Sequence, residues 1–71
     1  MYLSDEDIGK LLAACSDSRN RAALNLLTYA GAYTVSGVLT KLMHAHGAER
    51  QLLMDLIGAT LAEHDRLSGE N

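Results

Sequence analysis

Four side chains in this chain are cysteine or histidine, the types that supply thiolate nucleophiles and zinc ligands: Cys15, His44, His46 and His64. Two histidines sharing a metal on one helical face stand three or four residues apart, whereas His44 and His46, two apart, diverge by about 200°. One cysteine and three histidines also make no closed tetrahedral zinc set at the usual spacing. Cys15 has no histidine at a recognisable nucleophile spacing, so it reads as a buried structural thiol. Glu63, His64 and Asp65 are adjacent and therefore point in different directions. Neither a glycine-framed nucleophile turn nor a glycine-rich phosphate loop is present. The expectation is a chain without catalytic, metal or cofactor residues.

The residues that remain suit recognition. Arg19 and Arg21 fall where a helix begins, against the sense of the helix dipole. Such cations either pair with a nearby acid, such as Asp17, or anchor an acidic or phosphate-bearing partner. Tyr29 and Tyr33, at i and i+4, extend that patch with two amphipathic rings, and Tyr and Arg are enriched at binding hot spots. These four residues form the expected partner-binding region.

The elements that would carry them are helices. Leu and Ala dominate the apolar residues, and the chain has no Phe, Trp or Pro. The first helix (5–15) opens on Ser4, whose hydroxyl caps the amide of Asp7. Asp5, Glu6 and Asp7 fill its first turn, and Leu3 and Ile8 form a hydrophobic staple. Ile8, Leu11, Leu12 and Cys15 make its apolar stripe. The second helix (19–30), capped by Asp17 or Ser18, is apolar nearly all round and is expected to be central. Gly31, Thr34 and Val35 predict a break between 31 and 36. The third helix (35–46) carries Val35, Val38, Leu39, Leu42 and Met43 and stops at Gly47, a left-handed C′ position. The fourth (48–67) precedes a polar tail at 68–71.

That fourth helix has two apolar rows. Leu53, Ile57, Thr60, His64 and Leu67 form a seam, and Leu52, Leu56 and Ala59 lie beside it. Two rows exceed what one short neighbour covers, which predicts self-association through Leu52, Leu53, Leu56, Ile57, Thr60, His64 and Leu67. His64 reads either as a residue on the seam's wet edge or as part of that interface, where a positive charge on it would loosen association.

Size points the same way. A single domain of 71 residues is marginal without disulfides, metal or a partner, and the one cysteine excludes an internal disulfide. The net charge of −3 does not suit a partner that is chiefly phosphate backbone. The opening residues are acidic where a secretory signal would be basic. Residues 22–40 form a run of 19 uncharged residues, just long enough to cross a bilayer, but only six are Leu or Val.

Two stretches resemble known families. Ala30-Gly31-Ala32-Tyr33-Thr34-Val35-Ser36-Gly37-Val38-Leu39 resembles the turn and recognition helix of LacI-type helix-turn-helix repressors. That family has four residues between Ala-Gly and Thr-Val-Ser; here Ala32 and Tyr33 make two, and Gly37 stands where an Arg is common. Losing two residues rotates the second helix by about 200°. Separately, Tyr2-Leu3-Ser4-Asp5-Glu6-Asp7-Ile8, Leu11-Leu12-Ala13-Ala14-Cys15 and Leu26-Leu27-Thr28-Tyr29-Ala30-Gly31 look like the opening helices of the tyrosine recombinase catalytic domain. Tyr33 occupies the place of that family's catalytic Arg, and the other catalytic residues would need about twice this length, which rules out recombinase activity.

The sequence thus predicts an all-α fold, a compact dimeric bundle of three to four short helices. The expected function is that of a non-enzymatic cytoplasmic regulator, adaptor or inhibitor of bacterial or phage type that binds another protein. The alternative is a helix-turn-helix-like DNA-binding regulator using the third helix with Arg19, Arg21 and Lys41. A third reading is a small membrane protein using residues 22–40.

Overall fold

A computed structural model describes residues 3–70 and contains four helices: α1 (Asp5–Cys15), α2 (Arg21–Ala30), α3 (Val35–His44) and α4 (Gly47–Ser68). No strand occurs among the described residues. Tyr2, in the recombinase-like stretch, and Asn71, in the expected tail, lie outside them.

Short polar side chains set the helix starts. At α1, the Asp7 amide donates to Ser4 Oγ at 3.1 Å and the Ser4 amide donates to Asp7 Oδ2 at 3.2 Å, closing a capping box. The start of α2 differs from expectation: neither Asp17 nor Ser18 caps it, and Arg19 lies before it. Asp17 instead accepts from the amide of Arg19 at 2.9 Å, forming a turn two residues long. The chain then reaches Asn20 in extended conformation, and Asn20 Oδ1 accepts from the Ala23 amide at 3.0 Å. Thr34 caps α3 by accepting from the Gly37 amide at 3.2 Å.

The break between α2 and α3 is a Schellman turn. Gly31 is left-handed (φ 65°), its amide donates to Thr28 O, and the Ala32 amide reaches back to Leu27 O at 3.1 Å. The two helices turn by 51° across it, well short of the ~90–120° of a DNA-binding helix-turn-helix. Gly37 lets the turn close: a Cβ there would stand 2.8 Å from Ala32 Cβ.

The end of α3 also departs from expectation. The helix stops at His44, and Ala45 and His46 are extended. Ala45 is buried, its amide donates to Leu42 O at 3.3 Å, and the Arg50 guanidinium donates to the same carbonyl at 2.9 Å. Gly47 is left-handed (φ 56°), but it opens α4 rather than closing α3.

α4 is 22 residues long, about 33 Å at 1.5 Å per residue, and it packs chiefly against α2 and α1. Leu11, Leu26, Val38, Leu53 and Ile57 meet at the centre of the core. Two polar residues share this interior, Asn20 and Thr60. Asn20 Nδ2 donates to Thr60 O at 3.3 Å, and Thr60 Oγ1 donates to Leu56 O at 2.8 Å. No buried side-chain polar atom among the described residues lacks a partner.

Candidate functional site

The side chains best suited to chemistry are dispersed. Cys15 is half-buried, and burial pushes its thiol up, away from the reactive thiolate. Glu63 is forked by Arg66 at 2.6 and 2.7 Å, which holds its carboxyl below the usual range. Asp65 pairs with Lys10 at 3.4 Å. His44 and His46 are exposed, and His64 is half-buried. No three potential metal ligands converge among the described residues.

The rows of α4 have a different use from the one expected. Leu53, Ile57, Thr60 and Leu67 are buried within the chain's own core, against α1 and α2, and present no surface to a second copy. What α4 leaves uncovered is Leu52, 42% exposed, beside half-buried Leu56 and His64.

The expected partner-binding residues separate as well. Arg19 is exposed but forks Asp17 through Nε at 3.1 Å and Nη2 at 2.8 Å. That fork, with the amide of Arg19, draws the Asp17 carboxyl down to about 2. Tyr29 is 41% exposed on α2, whereas Tyr33 is 98% exposed in the turn beyond it. Left-handed Gly31 redirects the chain between them, so the i, i+4 relation does not hold.

Tyr33 instead joins residues that sequence reasoning left in the core. With Leu24, Leu27, Thr28, Gly31 and Ala32 it lines a hollow of about 330 Å³. Leu24 and Leu27 also line a second hollow reaching Cys15 and Asn20 at the α1 end. Gly31, Ala32 and Tyr33 also line a third, which continues along α3 past Thr40 to Lys41 and His44. The three share lining residues and lie side by side along α2, the turn and α3, a trough interrupted by the side chains they share. Leu24 is 59% exposed at its centre.

Charge is segregated around this trough. No Asp or Glu occurs from residue 18 to residue 48, although the whole chain is net acidic. Arg21 lies on the exposed row that continues through Leu24 and Thr28, at i, i+3 and i+7. Lys41 lines the trough's α3 end. Arg21 and Lys41 enter no ion pair among the described residues, whereas Lys10, Arg19 and Arg66 do.

The absence of acids over this span was a signal available in the sequence. The exposure of Leu24 was not, because it depends on which side of α2 the other helices cover. Set against known families, curated proteins and solved structures, the chain matches none significantly.

Proposed function

We propose that this chain is a non-enzymatic regulatory, adaptor or inhibitor protein that acts by binding another protein through the trough across α2 and α3. The observation that carries the reading is the exposure of Leu24 and Tyr33 around a largely apolar hollow. Exposed apolar residues gathered around a hollow mark interaction sites, whereas isolated ones do not. Tyr33 is a large anchor with few rotatable bonds, suited to a hot spot. The homodimer expected from α4 ranks behind this, because Leu52 and the edge of Leu56 offer a second copy much less surface.

The DNA-binding reading is weaker. The α2–α3 bend is 51°, and of the three cations expected to serve it Arg19 is already paired with Asp17. No single helix among the described residues is long and apolar enough to cross a membrane. The bent α2–α3 pair passes that test jointly, yet Leu26, Ala30, Val35 and Val38 from it are in the core.

The test is differential capture from a lysate with tagged wild-type chain and the Leu24→Asp/Tyr33→Ala variant. Both positions are exposed, so the variant should keep its helical circular dichroism. A protein captured by the wild type and lost with the folded variant supports the reading. Identical capture by both removes it.

A further inference from the structure

We infer that the trough accepts an acidic amphipathic helix, a deeper statement of the protein-binding reading on which it rests. The hollow lined by Leu24, Leu27, Ala32 and Tyr33 is apolar and open along its length, the form that takes the i, i+3, i+7 side chains of a helix. Its two ends carry uncompensated positive charge. Arg21 stands on the α2 row leading to the hollow, and Lys41 lines the far end beside His44. Asp17, the one acid in the wall, is already held by Arg19. A helix with acidic residues flanking an apolar row would satisfy floor and ends together.

The same charges select against other occupants. A second copy placed on this face by a two-fold axis would bring the same patch against itself, with Arg21 and Lys41 and only Asp17, already paired with Arg19, to meet them. Nucleic acid gains affinity from many neutralised phosphates, about 6–10 in strongly salt-dependent complexes. Against that number this face supplies two free cations, Arg21 and Lys41.

The test uses the full chain and three labelled probes in anisotropy titrations. The first is a helical peptide of about four turns with a Leu row flanked by Glu. The second has the same Leu row flanked by Lys, and the third is a short DNA duplex. The acidic peptide should bind at least about tenfold tighter than the basic one, and more weakly as salt rises. Arg21→Glu with Lys41→Glu should remove most of that preference, while Tyr33→Ala should weaken both peptides. Binding of the acidic peptide should also slow alkylation of Cys15, which lines the α1 end of the trough.

Equal binding of both peptides, lost in Tyr33→Ala, overturns the acidic-helix inference and leaves the trough as a protein-binding site. Binding of the duplex in preference to either peptide overturns both. Binding of no probe overturns the inference, and the capture experiment then decides the broader reading separately.

Discussion

Asn20 is the residue through which the start of α2 is fixed to α4, and removing it should be costly out of proportion to its size. Its side chain is 3% exposed and makes two bonds of different kinds. The Oδ1 atom caps α2 at the Ala23 amide, and Nδ2 reaches the Thr60 carbonyl forty residues away. Losing a cap costs ~1 kcal/mol, and losing a buried neutral hydrogen bond costs ~0.5–1.5 kcal/mol. Asn20→Ala should therefore lose about 2–3 kcal/mol, since it also leaves a small void. A chain of this length has roughly 4–10 kcal/mol in all. The corresponding drop in Tm is about 10–20 °C.

Two further substitutions separate the bonds. Asn20→Ser keeps an acceptor for the cap and cannot span to Thr60, so it should lose about 1 kcal/mol. Asn20→Asp keeps the acceptor but turns an oxygen toward the Thr60 carbonyl. Burial and that carbonyl both disfavour the carboxylate, raising its folded pKa. Its destabilisation is then full at neutral pH and relieved as pH falls and the protonated acid donates to Thr60 O. The assay is urea unfolding followed by far-UV circular dichroism, because the chain has no Trp. If Asn20→Ser costs as much as Asn20→Ala, the cap contributes nothing. If Asn20→Ser is neutral, the tie to α4 contributes nothing, and the reasoning about α2 placement fails.

Gly37→Ala sets a new Cβ 2.8 Å from Ala32 Cβ, a clash that no side-chain rotation relieves. Overpacking costs ~1–3 kcal/mol and exceeds the gain in helix propensity of up to ~1 kcal/mol, so thermal melts should show a lower Tm; an unchanged or higher Tm refutes the close approach. Thr60→Val removes a hydroxyl whose acceptor, Leu56 O, already has a helical partner, so its effect should stay below about 1 kcal/mol, and a larger loss in urea titration would assign that hydroxyl a structural role. At the α1–α2 turn the sign runs the other way from a buried acid. The folded Asp17 pKa of about 2 lies below its unfolded value, so its contribution is complete above pH about 4 and fades as pH falls through 2. Carboxyl NMR titration should find a midpoint near 2 that rises part of the way to the ordinary Asp range in Arg19→Ala, where the backbone amide of residue 19 remains as a donor; equal midpoints in both proteins rule out the fork.

Much of the architecture was legible because it rests on local rules. Ser4 followed by Asp5, Glu6 and Asp7 defines a helix start by itself, and Gly31 before Thr34 defines a helix end and a new cap. The start of α2 was misread because Asp17, Ser18 and Asn20 are all competent caps. The choice among them rests on Asn20 finding Thr60, a contact forty residues distant. Gly47 was misread similarly: its left-handed φ was foreseeable, but which helix it serves depends on Ala45 being drawn into the core.

The misassigned surfaces share one physical cause. An apolar face in a sequence shows that something covers it, without showing what. On α4 the cover is internal for one row: Leu53, Ile57, Thr60 and Leu67 are buried in the chain's own core, while Leu52 and Ala59 of the second row stay exposed. On α2, apolar nearly all round, the cover is incomplete. α4 and α3 take Leu26 and Ala30, while Leu24 on the opposite side has no neighbour. The long helix that looked unpartnered thus spends its main seam on the chain's own core, and the short helix that looked central keeps an open side. Because that open side coincides with the span from 18 to 48 that lacks acids, apolar surface and positive charge fall together. Neither feature alone selects a partner: an apolar groove accepts any apolar row, and two cations attract any anion. Their coincidence on one face narrows the choice to a ligand that presents both, an apolar ridge with acidic flanks.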